Sequence, residues 1–147
     1  MKERTIRNVF HKGAISPDFV AESIAKHQSK TEIGAHDIFL GQVRADVIDE
    51  KQVVALNFTA YEEMANQKCH DVKEEAIEKF GLSCLHIHHS LGTVKTGEIC
   101  IFVFVSAPHR KSVFEGLQWV VNSIKADIPI FGKEVLEDDS YQWKVNK

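Results

Sequence analysis

The sequence predicts an α+β domain: a mostly antiparallel sheet with helices packed on one of its faces. Three observations carry this. Amphipathic helical segments alternate with pairs of strand-like runs, giving the order α, β, β, α, β, β, α, β. The links inside the strand pairs are short, as antiparallel neighbours require. The 147 residues contain no repeat, no linker and no low-complexity tract, so the whole of 1–147 reads as one domain.

Ser16-Pro17 opens the first helix, because serine suits an N-cap and proline the first helical position. Phe19, Val20, Ile24 and His27 follow at helical spacing, and the helix runs to about Ser29. Residues 34–44 form a strand whose near-continuous apolar run implies burial on both faces or a bulge near Gly41. A polar loop spans 45–52, and 53–61 is the second strand. In 62–80, Met64, Val72, Ala76, Ile77 and Phe80 mark one helical face, and Gly81 is the expected stop. Residues 82–91 are a strand, Lys95-Thr96-Gly97 a hairpin turn, and 98–106 the most apolar strand of the chain. Ala107-Pro108-His109-Arg110 leads into a helix to about Ala126, with Phe114, Leu117, Val120, Val121 and Ile124 as its buried stripe. Pro129 ends it, and a last strand covers 130–136 before a polar tail.

Composition narrows the function classes. A net charge of −3 argues against a nucleic-acid partner, which would demand a basic face. No run approaches the roughly 20 apolar residues of a membrane span, and Met1-Lys2-Glu3-Arg4-Thr5 lacks the apolar core of a signal peptide. A cytoplasmic location without membrane contact is the expectation. Cys69, Cys84 and Cys100 are widely spaced, odd in number and form no CxxC pair, so they read as reduced, mostly buried thiols.

Three constellations can carry chemistry. In Leu85-His86-Ile87-His88-His89, His86 and His88 share one strand face and His89 takes the other. Two ligands leave a zinc site incomplete, no HxxxH or CxxC accompanies them, and no metal is assigned. Ser106-Ala107-Pro108-His109-Arg110-Lys111 sits where a buried strand hands over to a helix start. Unpaired N–H groups there, with His109 and Arg110, suit a phosphate, although solvated basic side chains give the same pattern. Lys125 and Lys133 flank the end of the last helix; a lysine in a last turn is also what the helix dipole favours without any function. Arg44, at its strand end, is similarly ambiguous.

Five segments taken together resemble one family. Phe39-Leu40-Gly41-Gln42-Val43-Arg44 resembles its F-x-G-x-V-R strand, and Ala60-Tyr61-Glu62-Glu63-Met64-Ala65 the Y-x-x-M-A opening of its central helix. The run from His89 to Glu98 resembles its glycine-bearing hairpin, Ser106-Ala107-Pro108-His109-Arg110 its S-x-H-R element, and the run from Lys125 to Glu134 its lysine-rich segment ending P-x-W-K-K-E; Trp143 stands in the tail where the family often has tryptophan. The match spans about residues 34–144 in order, and identifies the chain as a member of the large, catalytic subunit family of molybdopterin synthase.

The resemblance implies an α/β-hammerhead-like fold, sulfurtransferase activity in molybdenum cofactor biosynthesis, and no bound cofactor. A small ubiquitin-like partner with a Gly-Gly C-terminus would carry sulfur as a terminal thiocarboxylate. That sulfur would pass to cyclic pyranopterin monophosphate, and two transfers would build the dithiolene of molybdopterin. The catalytic subunit would form a homodimer, and a heterotetramer with its partners. Lys125 matches the essential lysine, with Lys133 beside it in catalysis, and Arg44, His109, Arg110, Lys125 and Lys133 would bind the anionic substrate. Two departures stand out. Gly132 replaces the first lysine of the family pair, leaving Lys133 to reach the same site by another backbone path or the second cation to be lost. His89-Ser90 replaces the usual His-Arg.

Overall fold

The computed structural model describes residues 6–145; the leaderless reading of Met1-Lys2-Glu3-Arg4-Thr5 falls outside them. The elements run β1 (Phe10–Lys12), α1 (Pro17–His27), β2 (Ala35–Gln42), β3 (Val47–Ile48), β4 (Lys51–Ala60), α2 (Glu62–Phe80), β5 (Cys84–Lys95), β6 (Ile99–Ala107), α3 (Arg110–Asp127), β7 (Ile130–Leu136) and β8 (Tyr141–Trp143). The sheet order is β2-β6-β5-β4-β7-β8, antiparallel throughout; β3 adds to β4, and the short β1 alone pairs in parallel, with β5. The α+β class and the mostly antiparallel sheet therefore hold.

Local chemistry accounts for the boundaries. The Phe19 amide donates to Ser16 Oγ at 3.1 Å, capping α1, and Pro17 occupies the first turn. α2 stops at Gly81 in the left-handed region (φ 66°). The bulge foreseen near Gly41 is a register shift between Gly41 and Gln42, and β2 ends there, two residues before Arg44.

One expectation needs correcting. Helices cover both faces of the sheet, not one. Ile101, Val103 and Val105 of β6 pack with Val113, Val120 and Ile124 of α3 and with Ala65, Cys69 and Ala76 of α2. Phe102 and Phe104, which alternate with them, form a second cluster with Ile15 and Val20 under α1. The cause is in β6 itself: apolar on both faces, it leaves neither to water. Two helical stripes also shift: Met64 and Phe114 are exposed, while Ala65, Val113 and Gly116 are buried in their place.

Three short strands were not foreseen: β1, β3 and β8. The polar loop 45–52 is a tight hairpin in which Asp49 and Glu50 both have positive φ (50° and 66°). That is the twist a two-residue hairpin needs, achieved without the usual Asn-Gly signal.

Candidate active site

A cavity of about 870 Å³ opens where α3 ends against β2, β4, β7 and β8. Its floor is apolar, with Leu56, Phe58 and Ile101 of the sheet and Ile124 and Ile128 of α3. Three cationic side chains line it: Lys125 from the last turn of α3, Arg44 just beyond β2, and Lys144 just beyond β8. Among the described residues Arg44 has one ion-pair partner, Asp46 at 3.4 Å on the same rim, and neither lysine has a carboxylate within 4.0 Å. Lys125 is solvent-exposed on the wall of the cavity rather than buried.

His89 closes the cavity's inner wall. It is buried, its Nδ1–H donates to the Ser90 carbonyl at 2.8 Å, and its ring meets Phe58 edge-on at 4.9 Å. Burial pushes its pKa down to about 4, the Lys125 ammonium adds to this, and the Ser90 hydrogen bond opposes it. Cys100 lies in the same wall; burial raises its thiol above the ordinary range, against the opposing pull of Lys125 and Lys144. It is a protonated packing group and not a poised nucleophile. Cys69 is pushed up to about 12 by burial alone. All three cysteines are free and buried, as the sequence reading holds.

The sequence candidates separate. Lys125 and Arg44 reach the cavity; Lys133, His109 and Arg110 do not line it. Lys133 follows from strand alternation: Gly132 and Glu134 face the cavity, so the residue between them faces away. Its ammonium sits over the rings of Tyr141 (4.1 Å) and Trp143 (5.2 Å). Gly132 stays in ordinary strand conformation, pairing with Phe58, so glycine's freedom opens no other path for Lys133. His109 and Arg110 are exposed at the first turn of α3, and Lys125 is fifteen residues on, about 22 Å away along the axis. One copy of the chain cannot gather all five groups at one point.

Sequence reasoning missed Lys144. The Lys144 amide donates to the Gly132 carbonyl at 2.8 Å, and a Cβ placed on Gly132 would lie 3.9 Å from the Lys144 Cβ. The Phe58 ring is nearer still, at 3.3 Å, so Lys144 stands beside the position a residue-132 side chain would take, and Phe58 bounds it. Only the pairing of β8 with β7 shows this, and a twelve-residue separation running into a polar tail gives no sequence signal for it.

The MoaE protein family model matches residues 14–127, most of the chain. This chain belongs to the MoaE family. The family match takes in Arg44, His109, Arg110 and Lys125 and ends before Gly132, Lys133 and Lys144. The molybdopterin synthase catalytic subunit of Emericella nidulans is 36% identical over 122 residues, 83% of this chain and 62% of that protein. The chain thus spans less than two thirds of that relative's length. The molybdopterin synthase catalytic subunit of Bacillus subtilis is 37% identical over 122 residues, covering 83% of this chain and 76% of its own. Among solved structures, molybdopterin synthase from Staphylococcus aureus superposes with a TM-score of 0.81 at 26% identity, covering 92% of this chain and 95% of that one. Among the described residues no helix is long and apolar enough to cross a membrane.

Proposed function

We propose that this chain is the catalytic subunit of a molybdopterin synthase, moving sulfur from the thiocarboxylate terminus of a small Gly-Gly-ended partner onto cyclic pyranopterin monophosphate. The observation that carries the reading is the placement of Lys125, inside the family match, on the wall of a cavity that also holds Arg44 and Lys144. That the relatives are named catalytic subunits supports a second, sulfur-carrying subunit.

The chemistry calls for fixed positive charge. The incoming peptide terminus and the substrate phosphate are both anionic, and Lys125, Lys144 and Arg44 offset their mutual repulsion. The thiocarboxylate sulfur adds to an electrophilic carbon of the pterin side chain. The oxygen on that carbon takes up the electron pair and protons and leaves as water, and the product is an acyl thioester on the partner's last glycine. Water adds to the thioester carbon, an oxyanion develops, and collapse releases the partner's carboxylate and leaves the sulfur on the pterin. An ammonium held beside the carbon stabilises that oxyanion more than it stabilises the ground state. Lys144 takes the part of the family lysine that Gly132 lacks.

His109 and Arg110 enter the same reaction from a second copy of the chain. Their distance from Lys125 within one chain, and their exposure, support a homodimer in which the start of one α3 completes the cavity at the end of the other. The test is reconstitution with thiocarboxylated partner and cyclic pyranopterin monophosphate, assayed for molybdopterin. Product from the wild-type chain and its loss in Lys125→Ala support the reading; equal product from both sinks it.

A further inference from the structure

The sulfur-transfer reading leaves unused the histidines on the opposite face of β5. Cys84 and His86 are two residues apart on that strand and share the face covered by α1. The last turn of α1 lowers His27 onto them, and the ligand atoms of His27, Cys84 and His86 all lie within 4.8 Å of one another. His88, the second histidine of that face in sequence, points elsewhere: its Nδ1 meets His11 Nε2 at 2.8 Å.

The surroundings match those of a ligand set. His27 Nδ1–H donates to the Ser23 carbonyl at 2.7 Å, which fixes the tautomer and leaves the Nε2 lone pair facing His86. His27 Nε2 and His86 Nε2 stand 3.0 Å apart. Two imidazole nitrogens on a tetrahedral zinc sit about 3.3 Å apart, so a small opening admits the ion. The Lys30 ammonium donates to Cys84 Sγ at 3.1 Å, so the sulfur is accessible to a polar neighbour. His27 and Cys84 are buried, and the Phe104 ring packs against His27 at 4.7 Å. One thiolate and two imidazoles select a borderline-soft ion over calcium or magnesium, which want oxygen ligands. The nearby cationic groups Lys30, Lys73 and Arg7 oppose any divalent cation, zinc included, so the sulfur and nitrogen bonds must outweigh them.

We propose that His27, Cys84 and His86 form a zinc site, with a fourth position open to water. The ion staples α1 to β5 on the face of the sheet away from Lys125, and the site does not depend on the sulfur-transfer reading.

Cobalt(II) is the probe, titrated into the full chain after chelator treatment under reducing conditions, with the near-ultraviolet and visible spectra recorded. The expected result is a thiolate-to-cobalt charge-transfer band that saturates at one ion per chain, is displaced by zinc, persists in Cys69→Ser and vanishes in Cys84→Ser. His86→Ala weakens binding about tenfold or more. Absence of the band from folded wild-type protein overturns the site, as does a band of equal strength in a Cys84→Ser variant whose circular dichroism is native. Should Cys84→Ser fail to fold, His86→Ala decides: unchanged cobalt affinity overturns the site.

Discussion

The two ends of α3 make an instructive pair. Both carry basic residues, and both read from sequence as parts of one anion site. At its C-terminal end Lys125 meets β2, β7 and β8 and shares a cavity with two other cations. At its N-terminal end His109 and Arg110 are exposed, and Lys111 meets Glu115 one turn on, at 3.9 Å. Residue type is the same at both ends; what differs is how many other elements the topology brings alongside. A rigid 18-residue helix keeps the two ends apart, so their cooperation requires two copies of the chain.

The strongest way to break this contrast is to remove each end in turn. Lys125→Ala is expected to lower the rate of molybdopterin formation by roughly 10²–10³-fold, the usual cost of losing one oxyanion-stabilising group. Arg110→Ala is expected to cost about 10–100-fold, in keeping with the loss of a charge-assisted contact to phosphate. Mixing the two impaired variants sharpens the test. If sites are shared between copies, mixed dimers rebuild one intact site and activity returns; a mixture as inactive as its parts places each site within one chain.

The two lysines around β7 extend the comparison. Lys144→Ala is expected to lower the rate about tenfold or more through a lost charge-assisted interaction. Lys133→Ala is expected to leave turnover within about twofold and to cost roughly 0.5–1 kcal/mol of stability in urea titrations, the worth of an exposed cation–π contact. The reverse ranking would return the catalytic role to Lys133.

A separate effect concerns pH. His89, His86 and His88 all have pKa values pushed down to about 4, chiefly by burial. Between about pH 6.5 and 4 the unfolded chain binds protons that these folded side chains refuse, so stability falls as the pH drops through that window and levels off below it. The urea midpoint measured from pH 7.5 to 4.5 should fall accordingly. His89→Gln should flatten part of that slope while leaving those of the other two.

The sequence carried much of this fold because periodicity is a local property. The bounds of α2 and β7 are the foreseen ones, and Ser16, Gly41 and Gly81 act at the places where their chemistry belongs. The errors are of two kinds. Val47–Ile48 and Tyr141–Trp143 are too short to show a period, and Phe10–Lys12 is a strand only because β5 lies beside it. For the cavity, Lys125 and Arg44 were legible through the resemblance, whereas Lys144 depends on a β7–β8 pairing that leaves no mark on either segment alone. Cys84 and His86 were visible as neighbours, but His27 lies 57 residues from Cys84 in sequence, and only the crossing of α1 over the sheet joins them.

The parallel pairing of β1 with β5 has a consequence for how the molecule assembles. Phe10 sits opposite His89, and the His89 amide donates to the Val9 carbonyl at 2.9 Å. During synthesis the first strand must wait, unpaired, until some eighty further residues have left the ribosome. A ladder of three residue pairs that closes so long a loop has little local drive behind it. It forms late and opens early, so amide deuteration should reach β1 before it reaches the ladder between β5 and β6.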